Sequence, residues 1–126
     1  MARTLAGRDW MARVMADTSS DGTGSYHPAN WIALSSNGDA PSTANTTLPG
    51  ELTGGTFARA QGAFAHTDGT ASYTLIHTFT SDRNVTAQKA GIFTASSGGT
   101  LVFETLMDAA VLKPGDTVQF VHTVTL

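Results

Sequence analysis

Residues 91–126 read GIFTASSGGTLVFETLMDAAVLKPGDTVQFVHTVTL, three short apolar-alternating runs separated by two glycine-bearing turns. Gly98-Gly99 permits a tight reversal, and in LKPGD Pro114 pre-sets φ while Gly115 accepts a positive value. The spacing predicts strands over 92–94, 100–106 and 117–126. In the last of these Val118, Phe120, His122, Val124 and Leu126 share one face, and Thr117, Gln119, Val121, Thr123 and Thr125 share the other. This stretch indicates β-sheet and offers no chemistry.

Upstream the same signal recurs. Residues 57–66 and 71–80 flank TDGT, where Asp68-Gly69 supplies the positive φ of a two-residue hairpin turn. That register opposes Phe64 to Tyr73, Gly62 to Leu75 and Ala58 to Phe79. Tyr73, Leu75, His77 and Phe79 form the face expected to turn inward. A strand over 85–90 and another in NWIALSS bring the total to six or seven, with turn signals every eight to twelve residues. The expected fold is mainly β, an antiparallel β-sandwich or jelly-roll-like barrel.

The N-terminal segment is different. Leu5, Trp10 and Val14 recur at spacings of four to five, with Ala6 and Met11 beside them, which predicts a short amphipathic helix over 5–16 with Thr4 placed to cap it. Asp9 interrupts any apolar run, so this segment does not read as a secretory signal. Residues 17–25, DTSSDGTGS, read as a linker, which divides the chain into an N-terminal helical arm and linker over 1–25 and a sandwich domain over 26–126. Between the first strand and the hairpin, residues 37–55 form a long loop with two prolines and four glycines. A loop of that length is either an interaction surface or an irregular excursion.

Composition excludes several function classes. A 126-residue chain with formal charge −3 and 13% charged residues has no basic stripe for phosphates, so nucleic acid is not an expected partner. Its apolar runs are far shorter than the roughly 20 residues of a spanning helix, so no membrane helix is expected. Cysteine is absent, removing disulfides and thiolate metal sites. His27, His66, His77 and His122 lack ligand spacing, although His77 and His122 lie on inward faces where a pair could meet. The aspartates fall mostly in turns, and residues 17–24 lack the ordered oxygen ligands and closing Glu of a calcium loop. No G-x-S-x-G elbow is present. The chain reads as a non-enzyme with no cofactor and no metal.

Five segments, in order, carry a resemblance: GRDWMARVMA, NWIALSSNGDAPSTANTTLPGEL, FARAQGAFAHTDGTASYTLIHTFT, KAGIFTASSGGTLVFETL and GDTVQFVHTVTL. Together they resemble small structural proteins of tailed bacteriophages. The resemblance implies a virion component, made in the host cytoplasm and assembled in many copies, with the major capsid protein or other virion proteins as partners and a homo-oligomeric state. It brings no catalytic residues. It implies Gly91, Gly98, Gly99 and Gly115 at turns, Ile92 and Phe93 entering the core, and Glu51 with Arg59 as a polar anchor pair. Within that class a capsid decoration (cement) protein that stabilises the head shell is the first expectation and a tail or tail-fibre component the second. Trp10, Met11, Val14 and Trp31 are the expected interface residues, since aromatics and Met dominate interface hot spots; packing of the helix on the sandwich is the alternative role for them. A carbohydrate-binding module, with Tyr26, Trp31 and Tyr73 presenting ring faces, is the reading from a different class.

Overall fold

The computed structural model describes residues 4–16 and 28–126, with the backbone alone at positions 9, 10, 13, 14 and 16. The expected linker over 17–25 and the side chains of Trp10 and Val14 lie outside the described residues. The chain runs α1 (Leu5–Ala16), β1 (Trp31–Ser35), a 3-10 turn (Gly55–Phe57), β2 (Ala60–Gln61), β3 (Ala63–His66), β4 (Ser72–Thr80), β5 (Val85–Phe93), β6 (Leu101–Leu112) and β7 (Thr117–Thr125). The strands make two antiparallel sheets, β2-β1-β5-β6 and β3-β4-β7. Ile32, Leu34, Ala90 and Ile92 of the first sheet meet Tyr73, Leu75, Phe79 and Phe120 of the second in one buried cluster. The fold is thus a β-sandwich with a short N-terminal helix, and the sheets do not close into a barrel.

The helix occupies the span that its periodicity predicts, and Thr4 caps it: the Gly7 N–H donates to Thr4 Oγ1 at 3.0 Å. Ala12 is fully buried in the inter-sheet core, with Met15 packed beside it. Arg8 Nη1 donates to the Leu126 carbonyl at 3.3 Å, so the helix is tied to the end of the chain.

Three features of the sheets depart from the sequence reading. The hairpin register is displaced by two residues: Phe64 opposes Leu75 and His66 opposes Tyr73. A longer reversal causes this. The Thr70 N–H bonds the Thr67 carbonyl around Asp68-Gly69, and His66 Nδ1 lies 2.7 Å from the Ser72 carbonyl oxygen before pairing begins. A two-residue slip preserves side-chain parity, so Tyr73, Leu75 and Phe79 are still buried as expected. Second, residues 57–66 are not one strand, and Ala58 does not oppose Phe79. The chain pairs with β1 through Ala60 and Gln61, then crosses to the other sheet at Gly62. A Cβ on Gly62 would lie 2.9 Å from Ile32 Cδ1 and 3.2 Å from Leu75 Cβ, so a side chain there would crowd both sheets where the chain passes between them. Third, β6 is twelve residues long and continues well past position 106, where the alternation suggested that it stops.

Candidate functional site

The most elaborate polar construction lies on the outer face of the four-stranded sheet, beneath residues 36–50. Strand β5 carries a bulge between Ala87 and Lys89, which turns Ala87 and Ala90 inward and Lys89 outward. Lys89 is nevertheless fully buried, because the loop crosses over it. Its Nζ donates to Glu104 Oε2 of β6 at 3.0 Å and to Asn37 Oδ1 at 3.1 Å. Glu104 Oε1 accepts the Ser42 N–H at 3.0 Å and Asn45 Nδ2 at 2.9 Å. Burial alone would raise the Glu104 pKa, but the Ser42 N–H, Lys89 and Asn45 together hold it below the ordinary carboxylate value.

Apolar packing locks the same loop. Leu48 is buried against Ala33 and Phe93, with Trp31 and Leu101 at the margin, forming a second small core outside the sandwich. Gly91 makes room for it: a Cβ there would sit 3.1 Å from Leu101 and 3.2 Å from Leu48. The Ser35 hydroxyl donates to the Pro49 carbonyl and accepts the Asn37 N–H, and the Leu52 N–H returns to the Leu34 carbonyl at 2.8 Å. The loop is therefore a strap, fastened at both ends and in the middle. Its tip, residues 38–44, is exposed. Between Pro41, Ser42, Thr43 and Asn45 of the strap and the first four residues of β6 lies an open depression of about 300 Å³.

Glu51 and Arg59 do form an anchor. Arg59 Nε and Nη2 donate to Glu51 Oε2 and Oε1 at 2.8 and 3.0 Å, a bidentate pair. Arg59 Nη1 also donates to the carbonyls of Ala95 and Gly98 at 3.1 and 2.8 Å, and the guanidinium stacks 3.4 Å from the Phe93 ring centroid. One side chain joins the end of the strap to the 94–100 turn.

The structure does not bring all four expected interface residues together. Trp31 is half-buried in the cluster under the strap, on the outer face of the four-stranded sheet. Met11 is half-buried on α1, which packs against β3 and β4 of the other sheet. The carbohydrate platform fails at Tyr73, which is 1% exposed and so presents no ring face to a sugar. Burial pushes its hydroxyl up to about 12, and that hydroxyl has no hydrogen-bond partner among the described residues. Tyr26 lies outside the described residues.

His77 and His122 sit diagonally across the β4–β7 ladder rather than opposite one another, since Phe120 opposes His77 and Leu75 opposes His122. Each packs on aromatics instead: His77 edge-on to Phe79 at 4.5 Å, His122 against Phe103 at 4.9 Å. His122 Nε2 is buried without a partner among the described residues, and burial lowers its pKa. Among the described residues no three His, Asp or Glu side chains cluster as metal ligands, and no helix is long and apolar enough to cross a membrane.

Sequence reasoning missed Lys89, Glu104, Asn37, Ser42 and Asn45, which make the strap network. Gly91, expected at a turn between two short strands, instead lies inside the single strand β5, where a glycine marks a close approach of other chain. A scan against protein-family models and a search of curated proteins each found no match to this chain.

Proposed function

We propose that this chain is a structural component of a tailed-bacteriophage virion, and specifically a capsid decoration protein that reinforces the head shell by contacts across subunit junctions. The observation that carries the reading is the strap. A protein that cements a shell gains most from a surface ordered before it docks, because little conformational entropy is then lost on binding. Residues 38–44 are such a surface: exposed at the tip, and held from below by a buried ion pair, two asparagines and Leu48. The adjoining depression along the start of β6 gives a partner loop somewhere to seat. The ordered resemblance to phage structural proteins supplies the class of particle, and the major capsid protein is the partner that the reading names.

Immunogold labelling of purified virions with antibody to this chain tests the assignment. Even labelling of heads is the expected result. Labelling confined to tails would replace the decoration role with a tail component, and unlabelled particles would overturn the virion reading altogether.

A further inference from the structure

Among the described residues, strands β6 and β7 are both sheet edges. They belong to different sheets, are joined by the turn at 113–116, and lie on the same flank, where the Phe103 ring meets His122. Natural edge strands are normally shortened, bulged or charged to prevent strand addition. Strand β7 has none of these protections. It pairs with β4 over nine consecutive residues without a bulge, and it contains no charged residue and no proline.

The direction of its free backbone groups follows from the ladder. The Ser81 N–H bonds the Asp116 carbonyl at 2.7 Å and the Leu126 N–H bonds the Ala71 carbonyl at 2.8 Å. Bonded pairs recur at every second residue of an antiparallel ladder, so the even-numbered positions of β7 are satisfied by β4. Thr117, Gln119, Val121, Thr123 and Thr125 therefore turn their N–H and C=O groups to the open edge. Their side chains are all exposed.

The sequence of that strand is nearly symmetric about its centre. Reading TVQFVHTVT outward from Val121 matches Phe120 to His122, Gln119 to Thr123, Val118 to Val124 and Thr117 to Thr125. We infer that β7 is a self-complementary edge that pairs antiparallel with β7 of a second copy of this chain, about a two-fold axis through Val121. Two-fold pairing places position n opposite position 242−n, so Val121 meets itself, Thr117 meets Thr125 and Val118 meets Val124, while Gln119 meets the Thr123 hydroxyl and Phe120 the His122 ring. The paired strands make a six-stranded sheet β3-β4-β7-β7-β4-β3. Its outer face carries no charge, so two copies meet without like-charge repulsion.

Five large apolar side chains of the described residues are exposed, and four of them lie on these two edges: Val102, Leu106 and Val111 on β6 and Val121 on β7. Leu106 and Val111 lie on the outer face of the four-stranded sheet and Val121 on the outer face of the three-stranded one, so of these only Val121, on the two-fold axis, is covered by the pairing. The inference stands apart from the virion reading, because a two-fold edge pairing operates in free solution.

Sedimentation equilibrium of the full chain tests both the pairing and its register. Wild type is expected at twice 13.1 kDa. Positions 119 and 123 lie roughly 13 Å apart within one strand, yet oppose each other across the two-fold. Within the chain they pair with Thr78 and Thr74, which are uncharged. The double variant Gln119→Lys/Thr123→Lys places like charges opposite and is expected to lose the dimer, with the dissociation constant raised at least tenfold. Gln119→Lys/Thr123→Glu places opposite charges in register and retains it. Both changes are on the solvent face, so circular dichroism should show an unchanged sandwich; Val121→Lys, which sets two ammonium groups on the axis, serves if either double variant fails to fold. A monomeric wild type overturns the inference, as does the same oligomeric state in both double variants. Dimers with no virion labelling would refute only the shell assignment, and labelled heads with a monomeric chain would refute only this pairing.

Discussion

Replacing Lys89 by Met should release the strap. The ammonium is fully buried and Glu104 is 5% exposed, so the pair is far from the screened surface pairs that contribute less than about 1 kcal/mol. Removing one partner of a buried pair costs about 3–5 kcal/mol, because the remaining charge is left in a poorly solvating site. Here Glu104 would retain only the Ser42 N–H and the Asn45 amide, and Asn37 Oδ1 would lose the ammonium. Glu104→Leu should cost a similar amount by stranding the ammonium. The double variant removes both charges and forfeits mainly the acceptor for Ser42 and Asn45, about 1–2 kcal/mol by the usual value of buried groups left unmatched. The double variant should therefore be more stable than either single variant. Urea denaturation at pH 7 measures this, with tryptophan fluorescence as a local signal because Trp31 borders the strap cluster. Single-variant costs below about 1 kcal/mol, or costs that simply add, would refute the buried-pair argument.

Other expectations follow from the same geometry. Gly91→Ala should destabilise by about 1–3 kcal/mol, since its methyl group would crowd Leu48 and Leu101, and a companion Leu48→Ala change should relieve part of that strain. Arg59→Lys should cost about 2 kcal/mol in denaturant titration despite keeping the charge, because an ammonium cannot reproduce the bidentate pair, the two carbonyl bonds and the stack on Phe93. His122 has a folded pKa below its ordinary 6.5, so the unfolded chain binds the proton first as pH falls. Its contribution to stability is full above pH 6.5 and declines below it, and His122→Phe should flatten the stability profile below pH 6.5. Glu104 acts in a separate, more acidic window. Its folded pKa is lowered, so its contribution is present above the ordinary 4.5 and is lost as pH falls through the lowered value; Glu104→Gln should remove that limb.

The elements governed by local periodicity were legible in the sequence. The helix over Leu5–Ala16, the inward faces of β4 and β7 and the positive-φ glycines at 98, 99 and 115 all follow from spacing and turn chemistry. The hairpin register was not legible, because an Asp-Gly pair marks a reversal without fixing how many residues lie between the last paired positions. The sheet change at Gly62 depends on what lies on either side of it, Ile32 and Leu75, and neither is near in sequence. The strap was hidden for the same reason. A lysine between Gln88 and Ala90 in a strand reads as a solvent-facing side chain until the β5 bulge and a loop some fifty residues earlier are known to enclose it. The Glu51–Arg59 anchor was reached through resemblance, and the structure supplies its physical basis. Of the four expected interface residues, Trp31 lies in the strap cluster and Met11 on the helix packed over the other sheet, a separation that chemical type does not reveal.

The central claim is that residues 36–50 are an ordered part of the fold, held in place for docking. Native-state hydrogen exchange at Ser42 tests it most directly, because this residue lies in the exposed tip while its N–H donates to a buried carboxylate. The account predicts that the Ser42 amide is protected, with slowing lost in Lys89→Met while the β4 and β7 amides keep theirs. Exchange of the Ser42 amide at the rate of a free chain in the wild-type protein would contradict it.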